Sequence, residues 1–195
     1  MLEIHHSMDT ISYTGEQLQA GWAAARFGLR RDADVAVAFV GPCDVDPRYM
    51  VDLEDLASGR RIFSKEMVHF IIEHLVPDLD RAILRQRILV FIVAEYLNAR
   101  LGEHPISRRG NDLYDADRKL SVSIATTSKR SSLIHYGINV RASDFPLPVK
   151  GIADYGIQPH DFAEEILNRY RAEMAGVERA AGKVRRVPSW RDGVH

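Results

Sequence analysis

Two alternating stretches separated by a polar turn constrain the fold of this sequence more than any other feature. Residues 119–125 (KLSVSIA) and 133–140 (LIHYGINV) alternate in polarity, and residues 127–132 (TSKRSS) lie between them. Turn residues bounded by period-two runs are typical of a β-hairpin. Residues 111–114 (NDLY) and a turn at residues 115–118 (DADR) precede the first run. The sequence therefore predicts a three-stranded antiparallel meander.

The two faces of this meander differ in chemistry, because successive side chains of a strand point to opposite sides of a sheet. We expect the apolar sets of the two runs to meet and pack under helices. The opposite face would be small and polar, and could form the floor of a ligand site or simply a solvated outer face. The apolar set is Leu120, Val122, Ile124, Ile134, Tyr136, Ile138 and Val140, and the other set includes Lys119, Ser121, Ser123, His135 and Asn139.

A short motif in this region carries a family resemblance. The order Asn111-Asp112-Leu113-Tyr114, a four-residue turn and then Lys119-Leu120 resembles the catalytic core of biotin protein ligases. The strand His135-Tyr136-Gly137 is similar to the corresponding strand of lipoate–protein ligases. Most of the chain further resembles a small family of unknown function, grouped by fold with these ligases and with class II aminoacyl-tRNA synthetases. The resemblance implies an α+β domain with a mixed, mostly antiparallel sheet packed by helices.

The resemblance also implies roles for individual residues. Lys119 would contact the carboxylate or mixed-anhydride phosphate of a ligand, where an ammonium group stabilises developing negative charge. Asp112 would help to hold a nucleotide or magnesium, which prefers oxygen ligands. The remaining site residues would be Arg108 and Arg109 as grips for an anion, Asn111 beside Asp112, and Ser121, Ser123, His135 and Asn139 on the floor.

Two departures from the ligase pattern bear on activity. Biotin ligases carry a glycine three residues after the lysine, where this chain has Val122, and they carry a Gly/Arg-rich adenylate-binding loop upstream. The corresponding segment here is Ser58–Ser64 (SGRRIFS). Its Arg60 and Arg61 could clamp a phosphate or carboxylate, or pair with the nearby Glu54 and Asp55.

Three classes of function follow. The first is an acyl or aminoacyl transferase or ligase that binds a small-molecule carboxylate or activated acyl ligand, using ATP and magnesium or a ready-made activated group. The second is a non-catalytic binding module on the same fold. The third is a metal-dependent hydrolase using Cys43, His69 and Glu73, of which the last two would lie four residues apart on one helix face.

The other elements follow from local patterns. Helices are expected at residues 14–27, 65–75 and 79–98 and from Pro159 to about 176, and strands at residues 1–13 and 34–40. Cys43 follows a strand, either as a functional neighbour of Asp44 or as a half-buried thiol in a tight turn. We expect a single domain over residues 1–176, a proline-stiffened loop at Asp144–Pro148 and a frayed tail from 177 to 195.

Composition narrows the setting. With 46% hydrophobic residues, 27% charged residues and a formal net charge of −1, the chain has no overall basic field to favour nucleic acid or an anionic membrane. No apolar run is long enough to span a bilayer. The single cysteine excludes an internal disulfide framework. We expect a cytoplasmic protein with a protein or RNA acceptor and a homodimeric assembly as further candidates.

Overall fold

The computed structural model describes residues 2–102, 105–141 and 149–187 and has an α+β architecture. The segment expected to be a proline-stiffened loop, Asp144–Pro148, lies outside these ranges, as does the end of the expected tail beyond 187. In chain order the elements are β1 (Glu3–Thr10), α1 (Trp22–Phe27), β2 (Val35–Asp44), α2 (Leu53–Ser58), β3 (Phe63–His74), α3 (Leu79–Leu101), β4 (Ile106–Arg109), β5 (Asp112–Asp115), β6 (Arg118–Lys119), β7 (Ser121–Thr127), β8 (Ser132–Asn139) and α4 (Pro159–Gly182).

A five-stranded sheet with the order β1-β2-β3-β8-β7 organises the molecule, and β4-β5-β6 form a small second sheet. In the large sheet β1 and β2 are parallel, and all other neighbours are antiparallel. The predicted mixed, mostly antiparallel sheet is therefore confirmed. No helix within the described ranges is long and apolar enough to cross a membrane.

The large sheet is covered on both faces. One face, which we call the helix face, packs against α3 and α4 and forms the larger hydrophobic core. The opposite face, which we call the cavity face, packs against residues that precede β2 and that connect β2 to β3. Strands buried on both sides read as nearly continuous apolar runs in the sequence. The arrangement places alternate residues of each central strand in two different environments.

The helix predicted at residues 65–75 is wrong, because these residues belong to β3, the middle strand of the large sheet. The side chains from Val68 to Ile72 point alternately to the two covered faces of the sheet. Because both faces are buried, the run is mostly apolar throughout, and its pattern fits a helix as well as a strand. Ser64, just before the predicted helix, donates a hydrogen bond to Asn139 Oδ1 (3.3 Å) on β8. His69 and Glu73 consequently lie on the cavity face of a strand.

The predicted pairing of apolar faces in the meander is also wrong. Directly paired residues of antiparallel strands share a face, and Ser121 pairs with Ile138, Val122 with Gly137 and Ser123 with Tyr136. The register therefore puts the serines of β7 on the helix face with the apolar residues of β8. Val122 and Ile124 of β7 lie on the cavity face with Gly137 and His135.

The predicted three-stranded meander is wrong, because its strands divide between the two sheets: β5 pairs with β6, and β7 pairs with β8. The other helix and strand predictions are met with shifted boundaries. The predicted helix at residues 14–27 is helical only from Trp22, although Thr14 N–H donates to Gln17 Oε1 (2.9 Å). The helix expected from residue 79 continues to Leu101. The last helix extends to Gly182, beyond the point where its apolar pattern fades.

Candidate functional site

A cavity of about 320 Å³ opens over the β7–β8 end of the cavity face. Its wall combines β7, β8, the connection from β2 to β3 and the small second sheet. The volume lies within the range of small-molecule sites, which are typically concave and mostly apolar with a few convergent polar groups. Of the residues predicted for the site, the cavity is lined by Asp112, Lys119, Ser121, Ser123, His135 and Asn139.

Lys119 and Asp112 form an ion pair at the cavity. Lys119 Nζ lies 2.6 Å from Asp112 Oδ2, with 36% and 22% of the two side chains exposed. The hairpin of β5 and β6 brings them together across the turn at Ala116, whose positive φ of 50° closes the tight connection. Burial raises the pKa of Asp112, and the hydrogen bond from Lys119 only partly opposes this shift. The pair therefore presents a half-exposed ammonium group held by a desolvated carboxylate.

Three polar residues of the predicted floor also join the two sheets. Ser121 Oγ accepts a hydrogen bond from Leu113 N–H (2.9 Å), and Ser123 Oγ donates to the Asn111 carbonyl (2.8 Å). The Asn139 amide donates to the Lys150 carbonyl (3.3 Å) while its oxygen accepts from Ser64. These residues border the cavity, although the side chains of Ser121 and Ser123 lie on the helix face. The two serine bonds fix the small sheet that carries Lys119 against the large one.

A buried histidine pair lies beneath the cavity. His69 Nδ1 is 3.1 Å from His135 Nε2, and His69 Nε2 is 3.2 Å from the Gly41 carbonyl oxygen. The Tyr13 ring stacks on the His135 ring with centroids 3.7 Å apart and an interplanar angle of 11°. Burial lowers the pKa of His69 to about 4 and that of His135 well below its usual value, with His69 adding to the second shift. Both rings are therefore neutral at physiological pH.

Four predicted site residues do not line the cavity: Arg108, Arg109, Asn111 and Cys43. Arg108 donates to the Gly110 carbonyl, and Arg109 donates to the Ala116 carbonyl (2.8 Å) and pairs with Asp117. Asn111 Oδ1 accepts from Arg87 (3.2 Å), outside the cavity lining. The structure thus brings neither arginine of β4 to Lys119, because both side chains turn towards their own hairpin.

Cys43 is fully buried on the cavity face and does not line the cavity. Burial raises the pKa of its thiol to about 12, with Asp44 adding to the shift. A thiol in this state behaves as a small hydrophobic group rather than as a nucleophile. Cys43 therefore has a structural place, although its thiol is fully buried within β2 and not half-buried in a tight turn as expected.

Several lining residues were missing from the predicted site. Arg60, Arg61 and Arg141 reach the cavity, and each is paired with a carboxylate: Asp55 (2.7 Å), Asp44 (2.8 Å) and Glu66 (3.6 Å). The Arg60–Asp55 pair is one of the two outcomes that the sequence allowed. The likeness of residues 58–64 to an adenylate-binding loop was the available signal for the first two arginines. Tyr13 and Arg141 had no such signal, since each comes from a distant part of the chain.

The residues named for a metal-dependent hydrolase do not converge. Both ring nitrogens of His69 are engaged as described above. The Glu73 carboxylate accepts from Ser131 Oγ (2.6 Å) and from Gly21 N–H (2.8 Å). Across the described ranges no group of three or more His, Cys, Asp or Glu side chains lies close enough to hold a metal ion. His69 and Glu73 lie on strand β3, and not on a predicted helix that would have aligned them.

Solved structures of ligases share this fold. A variant of biotin protein ligase from Aquifex aeolicus in complex with biotin matches with a TM-score of 0.56 and 16% identity, covering 89% of this chain and 70% of that one. A proposed lipoate protein ligase from T. acidophilum with bound lipoic acid matches with a TM-score of 0.59 and 14% identity, covering 90% and 86%. At these identities the likeness establishes the fold alone, which is the biotin/lipoate ligase-like, class II synthetase-like fold.

The closer relatives define the family. The chain belongs to the family described as Domain of unknown function (DUF366), which matches residues 2–185. An uncharacterised protein of Methanocaldococcus jannaschii is 35% identical over 178 residues, which cover 88% of this chain and 79% of that protein. A protein of unknown function from Pyrococcus horikoshi is 35% identical with a TM-score of 0.90, covering 96% and 100%. The predicted resemblance to both groups is confirmed.

Proposed function

We propose that the cavity binds a carboxylate or activated acyl ligand and that the protein is an acyl or aminoacyl transferase. The observation that carries the proposal is the Lys119 ammonium group, held at the cavity by Asp112 at 2.6 Å. A lysine at this place also follows the motif that resembles the biotin ligases. The structures of similar fold with bound biotin and lipoic acid support a ligand of the same class, a carboxylic acid with an extended tail.

The reaction would be an acyl transfer. The acceptor nucleophile attacks the carbonyl carbon, a bond from the acceptor to that carbon forms, and the bond to the phosphate oxygen or thiolate leaving group breaks with its electron pair. Negative charge develops on the carbonyl oxygen, and the Lys119 ammonium group stabilises it. Asp112 positions the ammonium group. The acceptor, a protein or an RNA, and a homodimeric assembly stay predictions.

The described lining does not fit a nucleotide triphosphate. Among the described residues, the basic side chains at the cavity are Arg60, Arg61, Lys119 and Arg141, and the acidic ones are Asp52, Glu54, Asp55 and Asp112. Because the basic and acidic groups balance and each basic group already has a carboxylate partner, the lining offers no excess positive charge to three phosphates. We therefore derive no step through ATP or magnesium and favour a transferase that receives an activated acyl group.

A non-catalytic binding module is the second candidate, and Val122 is the observation that favours it. The side chain lines the cavity where the biotin ligases have a glycine. Its directly paired neighbour is Gly137, so the small residue lies on the other strand of the pair. Gly137 does not line the cavity, and the space above it is filled by Met67 and His135, so it does not replace the room that Val122 occupies.

The test begins with native mass spectrometry of the purified protein to identify a retained ligand. Octanoyl-adenylate and the octanoyl thioester of N-acetylcysteamine are then offered with hydroxylamine as acceptor, and hydroxamate formation is measured. Lys119→Met should lower the rate about 10- to 100-fold, since a charge-assisted hydrogen bond contributes about 1.5–3 kcal/mol. Lys129→Met, which removes an exposed lysine of the β7–β8 turn, is the matched control.

Each outcome separates the candidates. Octanoate binding without turnover of either activated probe supports the binding module. ATP–pyrophosphate exchange with octanoate would contradict the charge-balance argument and indicate a complete ligase. A Lys119→Met variant that binds and turns over like the control would show that the site is assigned wrongly.

A further inference from the structure

The protons of the buried histidine pair can be assigned from one fixed acceptor. The Gly41 carbonyl oxygen only accepts hydrogen bonds, so His69 Nε2, 3.2 Å away, carries a proton. Because the His69 ring is neutral, its Nδ1 has a lone pair. That lone pair lies 3.1 Å from His135 Nε2, which must therefore donate. Since His135 is neutral as well, its own Nδ1 carries a lone pair and no proton.

The orientation of the His135 ring is fixed by its neighbours. A flip of the ring would place a carbon atom against His69 Nδ1 and lose the bond. Tyr13 stacks on one side of the ring, and Gly137 lies beside it on the same strand, where an added Cβ would approach His135 Cε1 to 3.4 Å. His135 is only 3% exposed and lines the cavity, whereas His69 is fully buried and does not.

The Nδ1 atom of His135 is thus the nitrogen left to meet a ligand. No described residue donates a hydrogen bond to it, and the Nε2 atom is occupied by His69. A ligand that covers this nitrogen removes it from water and leaves it without a partner unless the ligand itself supplies a donor. The histidine pair therefore offers one hydrogen-bond acceptor to a ligand within an otherwise apolar part of the cavity.

We propose that His135 Nδ1 accepts a hydrogen bond from the end of the ligand that lies farthest from Lys119. The ligand is then a carboxylic acid or acyl group whose tail ends in an N–H or O–H donor, not a plain alkyl chain. This inference rests on the proposed function, because it takes Lys119 as the site of the carboxyl end. His69 is a positioning residue that fixes which nitrogen of His135 accepts.

The distance between the two ends suits an extended tail. Asn139 on β8 lies beside Lys119, because its backbone N–H donates to the Leu120 carbonyl (2.9 Å). His135 lies four residues earlier on the same strand and on the same face. At about 3.3 Å per residue the Cα atoms of His135 and Asn139 are roughly 13 Å apart. The His135 ring lies over Gly137, which shortens the span that a ligand must bridge, and a medium-chain acid with a terminal donor group is long enough for it.

The experiment compares octanoate with 8-hydroxyoctanoate by isothermal titration calorimetry. The wild-type protein should bind the hydroxy acid about 10-fold more tightly, because only this acid supplies a donor to His135. His135→Phe should abolish the preference, and His135→Asn, which keeps an acceptor, should retain part of it. Circular dichroism and thermal melts confirm that each variant is folded before affinities are compared.

A measurement on the wild-type protein removes dependence on the variants. Long-range ¹H–¹⁵N correlation spectra should place the proton of His135 on Nε2, with Nδ1 unprotonated, and addition of 8-hydroxyoctanoate should shift Nδ1. A proton found on Nδ1 of the free protein would overturn the inference.

The outcomes distinguish the inference from the proposed function. If both acids bind equally and both lose affinity in Lys119→Met, the proposed hydrogen bond to His135 is wrong and the proposed function stands. If the hydroxy acid is preferred and neither its affinity nor the preference changes in Lys119→Met, His135 accepts a hydrogen bond from the ligand, but the carboxyl end does not lie at Lys119. Absence of binding by both acids at millimolar concentration overturns both proposals.

Discussion

The two faces of the large sheet use adjacent residues of the same strands in opposite ways. On the helix face, Phe70 and Tyr136 pack with Phe162 of α4 in a closed core. One residue away along each strand, His69 and His135 lie on the cavity face with hydrogen bonds to each other. The first face stabilises the fold by burying apolar surface. The second holds polar groups that bond to each other beside the cavity, so the same strands carry a core on one side and the wall of a candidate site on the other.

The largest expected effect is a difference in core stability between the faces. Phe70→Ala should lower the free energy of unfolding by about 3–5 kcal/mol, because the fully buried ring leaves a cavity. Val122→Ala on the cavity face should cost only about 1 kcal/mol, since the half-buried side chain already borders open space. Urea denaturation measures both values, and equal costs would contradict the distinction between a closed face and an open one.

A smaller loss is expected where the cavity face buries a carboxylate. Glu73 is 5% exposed and receives hydrogen bonds from Ser131 Oγ and Gly21 N–H. Ser131→Ala removes one donor and should lower the free energy of unfolding by about 1–3 kcal/mol. Thr127→Ala at the end of β7 is the control, because this residue borders the same turn and is exposed. A loss of the same size in both variants would show that the turn, and not Glu73, is responsible.

The buried histidines of the cavity face should make stability depend on pH, in the same direction as His74 of the helix face, whose pKa is also lowered by burial. The folded pKa of His69, about 4, lies below its unfolded value of 6.5, so the unfolded state binds more protons between these values. Stability from this source is therefore present above pH 6.5 and is lost as the pH falls towards 4, by up to about 1.4 kcal/mol per pH unit and histidine. The His135 pKa is lowered in the same direction.

Denaturant unfolding between pH 7 and pH 4 tests this dependence. His135→Phe should flatten the acid limb relative to the wild type, whereas His5→Asn on the edge strand β1 should leave it unchanged. An equally steep limb in His135→Phe would show that His135 does not contribute to the acid sensitivity.

The smallest effect is expected at the two arginines that the sequence assigned to the site. Arg108 and Arg109 contact their own hairpin, so Arg108→Ala and Arg109→Ala should change the free energy of unfolding by less than about 1 kcal/mol. Neither should alter octanoate binding, in contrast to Lys119→Met. Loss of binding in either variant, measured by calorimetry, would show that the substituted arginine takes part in ligand binding.

The polar motif was readable from the sequence because its parts are close in the chain. Asp112 and Lys119 are seven positions apart, and the turn between them forces the two side chains together. The histidine pair was not readable in the same way. His69 and His135 are 66 positions apart, and residues 65–75 fit a helix period, so the partner of His135 was assigned to the wrong element.

The local patterns of the sequence determined that this chain forms an α+β domain with the β7–β8 hairpin, a long helix from residue 79 and a lysine and an aspartate joined by a tight turn. Tertiary structure alone decided the face on which each side chain lies. A shift of one residue in register reverses every side chain of a strand, and here the pairing of Val122 with Gly137 set the valine, not the serines, beside His135. The sequence thus contained the groups of the site, and long-range strand pairing selected which of them meet.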